Sequence, residues 1–206
     1  KQAFLNEYKA QFIDSEGSVF NGFKDCVGEA KLDTNLALFI GIDVGAGLNQ
    51  DYTVLTYGQA SDKVYILEQK AFNNKTASET LDFIQSEVKR YTVLGVKDIY
   101  ICVEKNNMGI VHIQLLQDLL DGTNATIWSF TTTNKSKSKI ISQTEVLFEQ
   151  KRVVLPDDQK LLNELAIFEC KVNQNGVPTY SAPPGYHDDR VMSLAICINS
   201  LYNELI

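Results

Sequence analysis

The sequence predicts a mixed α/β fold: a five-stranded sheet made of an antiparallel meander plus parallel strands, flanked by helices. Three observations carry this. Apolar runs of strand length come first, LALFIGID, DYTVLTYG and KVYILEQKAF, with turn-forming residues between them. Runs with period 3.6 then alternate with further short apolar runs, which is the pattern of helices packed on a sheet. The chain's 206 residues are 44% hydrophobic and 22% charged, enough to bury the core of one domain and too few for two full ones.

In chain order, residues 1–35 carry scattered aromatics (Phe4, Tyr8, Phe12, Phe20, Phe23) without a clean period. They read as a linker and lead-in, and residues 36–206 as the domain. Leu36 to Asp43 is a buried strand ending in a carboxylate and followed by the turn-formers Gly45, Gly47 and Asn49. The next two runs, split by Gln59-Ala60-Ser61-Asp62, complete the meander. TASETLDFIQSEVKRY places Leu81, Ile84, Val88 and Tyr91 on one helical stripe, with Ser78 as N-cap. DIYICVE is a strand ending in Glu104, and Asn106 and Asn107 then shape a turn. IVHIQLLQDLL is an amphipathic helix closed by Gly122, and ATIWSFT a fifth strand with Trp128 in the core. SKIISQTEVLFEQ and DQKLLNELAIF follow as helices, Asn173-Gln174-Asn175-Gly176 as a hairpin turn, and DDRVMSLAICINSLY as a last helix opened by its aspartates.

Composition excludes several classes. No apolar run approaches the ~20 residues of a membrane-spanning helix. The chain opens on Lys1 without a charged and then apolar leader, so a fragment of a longer protein is expected. The net charge of −7 argues against broad, non-specific nucleic-acid affinity. Cys26, Cys102, Cys170 and Cys197 form no CxxC pair, and Cys102 and Cys197 sit in apolar stretches, as small buried thiols of a reducing compartment do. With only His112 and His187 to add to the cysteines, a bound metal would rest on carboxylate oxygen, which selects Mg²⁺ or Mn²⁺.

The carboxylates carry the chemistry. If the strands ending in Asp43 and Glu104 are parallel neighbours, both acids leave the sheet at its carboxyl edge, where ligands of open α/β sheets bind. Asp188 and Asp189, opening the last helix, can reach the same edge. Such a cluster repels itself unless a divalent cation neutralises it, and two ions ~3.5–4 Å apart suit in-line attack on a phosphodiester. Taken singly, each acid is equally a turn residue, a surface acid or a helix cap. A second feature is basic: between residues 133 and 152, Lys135, Lys137, Lys139, Lys151 and Arg152 face only Glu145 and Glu149, five cations against two acids, for a local charge of +3. These are candidate phosphate contacts, or else a solvated helix face.

GIDVGAGLNQDYTVL, YICVEKNN with Gly109 soon after, and YSAPPGYHDDRVMSLAICI together resemble the C-terminal nuclease domain of the large subunit of viral terminases, the DNA-packaging enzymes of tailed phages. The resemblance runs from about Leu36 to the C-terminus and implies an RNase H-like (RuvC-like) fold. It implies an endonuclease that cleaves concatemeric double-stranded DNA with two Mg²⁺ or Mn²⁺ ions. By position, the implied metal ligands and catalytic acids are Asp43, Glu104 and Asp188 or Asp189, with Asp51 as an accessory. Lys135, Lys137, Lys139 and Arg152 fall where the family meets DNA, and His187 and Asn106 are auxiliary. EYKAQFIDSEGSVF is similar to the segment joining the packaging motor to the nuclease, and no GxxxxGK[ST] is present, so the ATPase is not in this chain. A small subunit and a portal protein are implied partners of the whole enzyme, the host bacterial cytoplasm its location, and a monomer the state of the isolated domain. Two other readings compete: a non-enzymatic DNA-docking or assembly module, and an actin- or sugar-kinase-like nucleotide binder suggested by GIDVGAGLNQDYTV.

Overall fold

The structure, a computed structural model, describes residues 18–45, 51–172 and 176–202, with the side chains of 107–111 left aside. Its strands are β1 (Leu38–Asp43), β2 (Thr53–Ala60), β3 (Val64–Phe72), β4 (Ile99–Glu104), β5 (Ala125–Phe130), β6 (Val153–Val154), β7 (Glu169–Val172) and β8 (Pro178–Ser181). The α-helices are α1 (Ala77–Val93), α2 (Lys105–Leu120), α3 (Asn134–Glu149), α4 (Gln159–Ile167) and α5 (Asp189–Tyr202).

The main sheet has the order β5-β4-β1-β2-β3-β6, one strand more than expected. The addition, β6, is two residues pairing parallel with the start of β3, too short to leave a pattern in the sequence. β1, β2 and β3 form the antiparallel meander, while β4 and β5 run parallel to β1. Strand alternation sends Leu38, Ile40 and Ile42 to the face covered by α1 and α2, and Phe39, Gly41 and Asp43 to the face covered by α5. α5 is apolar nearly all round, from Val191 to Leu201, because it lies between the sheet and α3 and α4. Its approach needs Gly41. A methyl group there would run into the Cys197 nitrogen and stand 2.6 Å from the Ser193 carbonyl oxygen, so a larger residue would lift the helix off β1.

Several element ends differ from expectation for local reasons. α1 is capped by Thr76, not Ser78: Thr76 accepts from the Glu79 amide and Glu79 reaches back, a capping box. α2 starts at Lys105 with no turn after β4, which puts Asn106 in its first turn rather than in a loop. α3 starts at Asn134, so Lys135, Lys137 and Lys139 lie on a helix, capped by Thr133 with Ser136. Trp128 is 37% exposed, because β5 is an edge strand, and it leans on Tyr100. β7 and β8 pair antiparallel, as the hairpin reading requires, although turn residues 173–175 lie outside the described ones. Cys102 and Cys197 are buried free thiols, as expected.

The lead-in from Ser18 onward is built into the core. Phe20 sits between Phe148 and Phe168, and the strap is tied by bridges from Ser18 to Glu169 and from Val27 to Leu155. The stretch 1–17 lies outside the described residues.

Candidate metal centre

The carboxyl edge of the sheet gathers the acids. β1 and β4 pair in parallel with Ile42 level with Val103, so the next residues, Asp43 and Glu104, emerge side by side. Glu104 is buried and Asp43 half-buried. α5 brings its first turn to the same place, for Gly41 lets the helix lie close and Asp43 stands two residues further along the same face. The Asp43 carboxyl is held well above the usual carboxylate range, first by burial, then by the charges of Asp189, Glu104 and Asp188, with Lys137 opposing. Four sequence-predicted acids therefore share one electrostatic site.

Asp189 also faces a second group. Its Oδ2 accepts from the Tyr52 amide at 3.1 Å and lies 3.4 Å from His187 Nδ1. Ligand atoms of Asp51, His187 and Asp189 all fall within 4.8 Å of one another. The Asp189 carboxyl is raised by burial, with the Tyr52 hydrogen bond and His187 acting against that rise. Gly45 lies against Asp51, since a side chain at 45 would run into the Asp51 carbonyl oxygen. Asp188 is ion-paired: Lys137 Nζ donates to its Oδ2 at 3.1 Å.

The basic residues divide. Lys135 and Lys139 are exposed on the first turns of α3, whereas Lys137 is occupied by Asp188. Arg152 follows the far end of α3 and its carbonyl accepts from Val64 at the start of β3, at the edge of the sheet opposite the acids. The structure thus does not bring Arg152 together with the three lysines. Asn106 donates to the Thr132 carbonyl at 2.8 Å, joining the start of α2 to the segment before α3.

Sequence reasoning missed the Lys137–Asp188 pair and the polar residues behind the acids. Glu164, on α4, accepts from the Arg190 amide at 2.9 Å, and its pKa is pushed up to about 8 by burial against the opposing Arg190 contacts. A carboxylate in the ELAIF stretch carried no sequence signal, since its partner lies 26 residues away.

A family model described as "Terminase RNaseH-like domain" matches residues 40–201. The chain belongs to the terminase RNase H-like domain family. Among curated relatives, the terminase large subunits of Thermus virus P23-45 and Thermus phage G20c are 26% and 27% identical over 205 residues. This terminase domain spans 40% of their length and 94% of its own. Among solved structures, the large terminase nuclease of thermophilic phage G20c superimposes with a TM-score of 0.72 at 24% identity, covering 89% of this chain and 98% of that one. The same nuclease with bound magnesium gives 0.71, covering 90% and 98%. The HK97 bacteriophage large terminase gives 0.62 at 15% identity, covering 86% and 42%. The match agrees with the mixed sheet, in which an acid ends each of the parallel neighbours β1 and β4. The donor set of carboxylate oxygens plus one imidazole suits a hard divalent ion.

Proposed function

We propose that this domain is a divalent-metal-dependent endonuclease that hydrolyses phosphodiester bonds of concatemeric double-stranded DNA during genome packaging. The observation that carries the reading is the convergence at one sheet edge of Asp43 and Glu104, side by side at the ends of parallel strands, with Asp188 and Asp189 at the start of α5, close enough that their charges raise the Asp43 carboxyl. Acids brought this close together form a cluster that repels itself in the free protein and is favourable around divalent ions. Two ions, Mg²⁺ or Mn²⁺, fit it, in keeping with the magnesium- and cobalt-bound forms of the G20c nuclease.

Asp43, Glu104 and Asp188 or Asp189 would hold the ions, with Asp43, which feels the charge of all the others, as the candidate common ligand. When bound, the ions supply an activated water and stabilise charge on the departing 3′ oxygen. His187, against Asp189, orients that carboxylate, and Asp51 completes the outer side. Lys135 and Lys139 contact phosphates. They lie in the first turns of α3, where no acid offsets the helix dipole, a placement that favours an anion in front of them. In the whole enzyme, residues 1–35 lead in from the packaging motor, and a small subunit and the portal are partners in the bacterial cytoplasm.

The test is incubation of the purified domain with supercoiled plasmid in Mn²⁺ and in EDTA. Nicking and linearisation in Mn²⁺ alone are expected. Plasmid that is bound but left intact in Mn²⁺ would replace the nuclease with a docking module.

A further inference from the structure

Behind the acid pair lies a run of hydrogen bonds among residues other than Asp188 and Asp189. Arg190 follows Asp189 directly, and its side chain is 12% exposed. Its amide donates to Glu164 on α4. Its Nη1 donates to Asp158, the N-cap of α4, at 3.1 Å and to Gln69 Oε1 on β3 at 3.3 Å. Gln69 Nε2 returns a bond to the Arg190 carbonyl at 3.0 Å and gives another to Thr56 on β2 at 2.7 Å. Thr56 and Ser193 share a bond of 2.7 Å, and Ser193 donates to the Gly41 carbonyl at 3.0 Å. With Ser193 donating to Gly41, the directions follow: the Gln69 amide gives to Thr56, Thr56 to Ser193 and Ser193 to β1. Every link has its donor and acceptor assigned, which is the condition under which a buried polar network rigidifies its surroundings.

The placement matters more than the number of bonds. One end grips the first turn of α5, immediately after Asp188 and Asp189. The other reaches Gly41, two residues before Asp43 on the same face. Most other buried contacts of α5 are aliphatic, whereas Arg190 is fixed from both α4 and β3.

We propose that Arg190, with Gln69 and Glu164, is a positioning device that sets the distance of Asp188 and Asp189 from Asp43 and so tunes divalent-metal affinity. The proposal rests on the acids being the metal ligands. Outer partners of metal ligands typically govern affinity by 10–100-fold.

Arg190→Met and Gln69→Leu test it. Arg190→Met strands two acids and is prone to misfold, so Gln69→Leu, which leaves no lone charge, is the decisive variant. Mn²⁺ titration by calorimetry is expected to show affinity about tenfold weaker in Gln69→Leu. Its metal-free melting temperature should stay near wild type, and exchange of the Val191 and Met192 amides should be faster without metal. Arg190→Lys, which keeps the charge but not the fork, should fall between wild type and Arg190→Met. Unchanged Mn²⁺ affinity in Gln69→Leu, at any melting temperature, would overturn the proposal. If the wild type takes up no Mn²⁺, the metal reading falls separately, and amide exchange then decides: exchange unaltered by Gln69→Leu rejects positioning as well.

Discussion

Two carboxylate clusters lie on opposite faces of one sheet and are treated in opposite ways. Under α1, Glu87 is 5% exposed yet receives Lys70 at 2.7 Å, Arg90 at 2.8 Å and the Tyr57 hydroxyl at 2.8 Å. Arg90 also holds Glu68, which accepts from Tyr91. Burial pushes the Glu87 carboxyl up, but those three donors outweigh it and hold the group below the usual carboxylate range. Under α5, Asp43 has like charges around it and is held above that range. Burial raises both acids, so the opposite outcomes trace to their partners. Glu87 meets two cations and a hydroxyl, whereas Asp43 meets mainly other acids.

The sharpest way to break this comparison is to neutralise one acid from each cluster. Asp43→Asn should lower Mn²⁺-dependent plasmid cleavage more than about 100-fold, since a direct ligand is worth more than an outer partner. Its metal-free melting temperature should equal or exceed wild type, because one of the repelling charges is gone. Cleavage within a few-fold of wild type would remove Asp43 from the site. Glu87→Ala should do the reverse. It leaves Tyr57 and two cations without their acceptor, and because Lys70 and Arg90 are partly solvated the loss should be roughly 2–3 kcal/mol. For a chain of this size that is about 4–12 °C in a thermal melt, with cleavage at permissive temperature unchanged.

Acidity separates the clusters more finely. Glu87 has a lowered pKa, so its contribution is present above the unfolded carboxylate value and is lost as pH falls through the folded one. Asp43 and Glu164 have raised values, so the folded protein keeps protons that the unfolded chain releases, and their ionisation removes stability as pH rises. For Glu164 the window runs from about 4.5 to about 8. Urea midpoints from about pH 2 to pH 8 should therefore show a shallower loss on the alkaline side in Asp43→Asn than in wild type. Glu87→Gln should instead flatten the loss on the acid side. A parallel pair of pH curves for wild type and Asp43→Asn would contradict the crowding of the acids.

The smallest effect belongs to the surface. Replacing Lys135 and Lys139 with Ala, while keeping Lys137 on Asp188, should weaken duplex binding and lower the log–log salt slope by roughly 0.9 for each phosphate no longer neutralised. A wild-type slope in binding titrations at two salt concentrations would mean that DNA approaches by another face.

Much of the fold and most of the acid site are legible in the sequence, and the reason is local. Asp43 and Glu104 end apolar runs, and a parallel pairing of those strands is enough to bring them level. Asp188 and Asp189 open a helix whose apolar stretch is unmistakable. What escapes depends on distance along the chain or on short elements. Lys137 meets Asp188 across 51 residues, and Gln69 meets Arg190 across 121, pairings for which no spacing rule exists. Trp128 follows the strand pattern, which says nothing of the edge position of its strand. Arg152 follows charge density, which ignores the length of the helix that separates it from the lysines. α2 begins at Lys105 because Glu104 ends the strand and the helix takes up the chain directly, leaving no loop for composition to mark.

The strap from Ser18 to Val27 bears on how the molecule carries load. Its two bridges, to Glu169 and Leu155, and Phe20 wedged between Phe148 and Phe168 make it a buckle across α3 and α4. A pull on the chain at Ser18 would load these bridges and rings before the strands of the main sheet. Phe168 is the seat of the buckle on one side and lies 5.7 Å from the Lys137 ammonium on the other, so the strap shares a ring with the edge of the acid site. Cutting the chain at residue 36, where composition places the domain's start, would unfasten the buckle and lay Phe148 and Phe168 open to water.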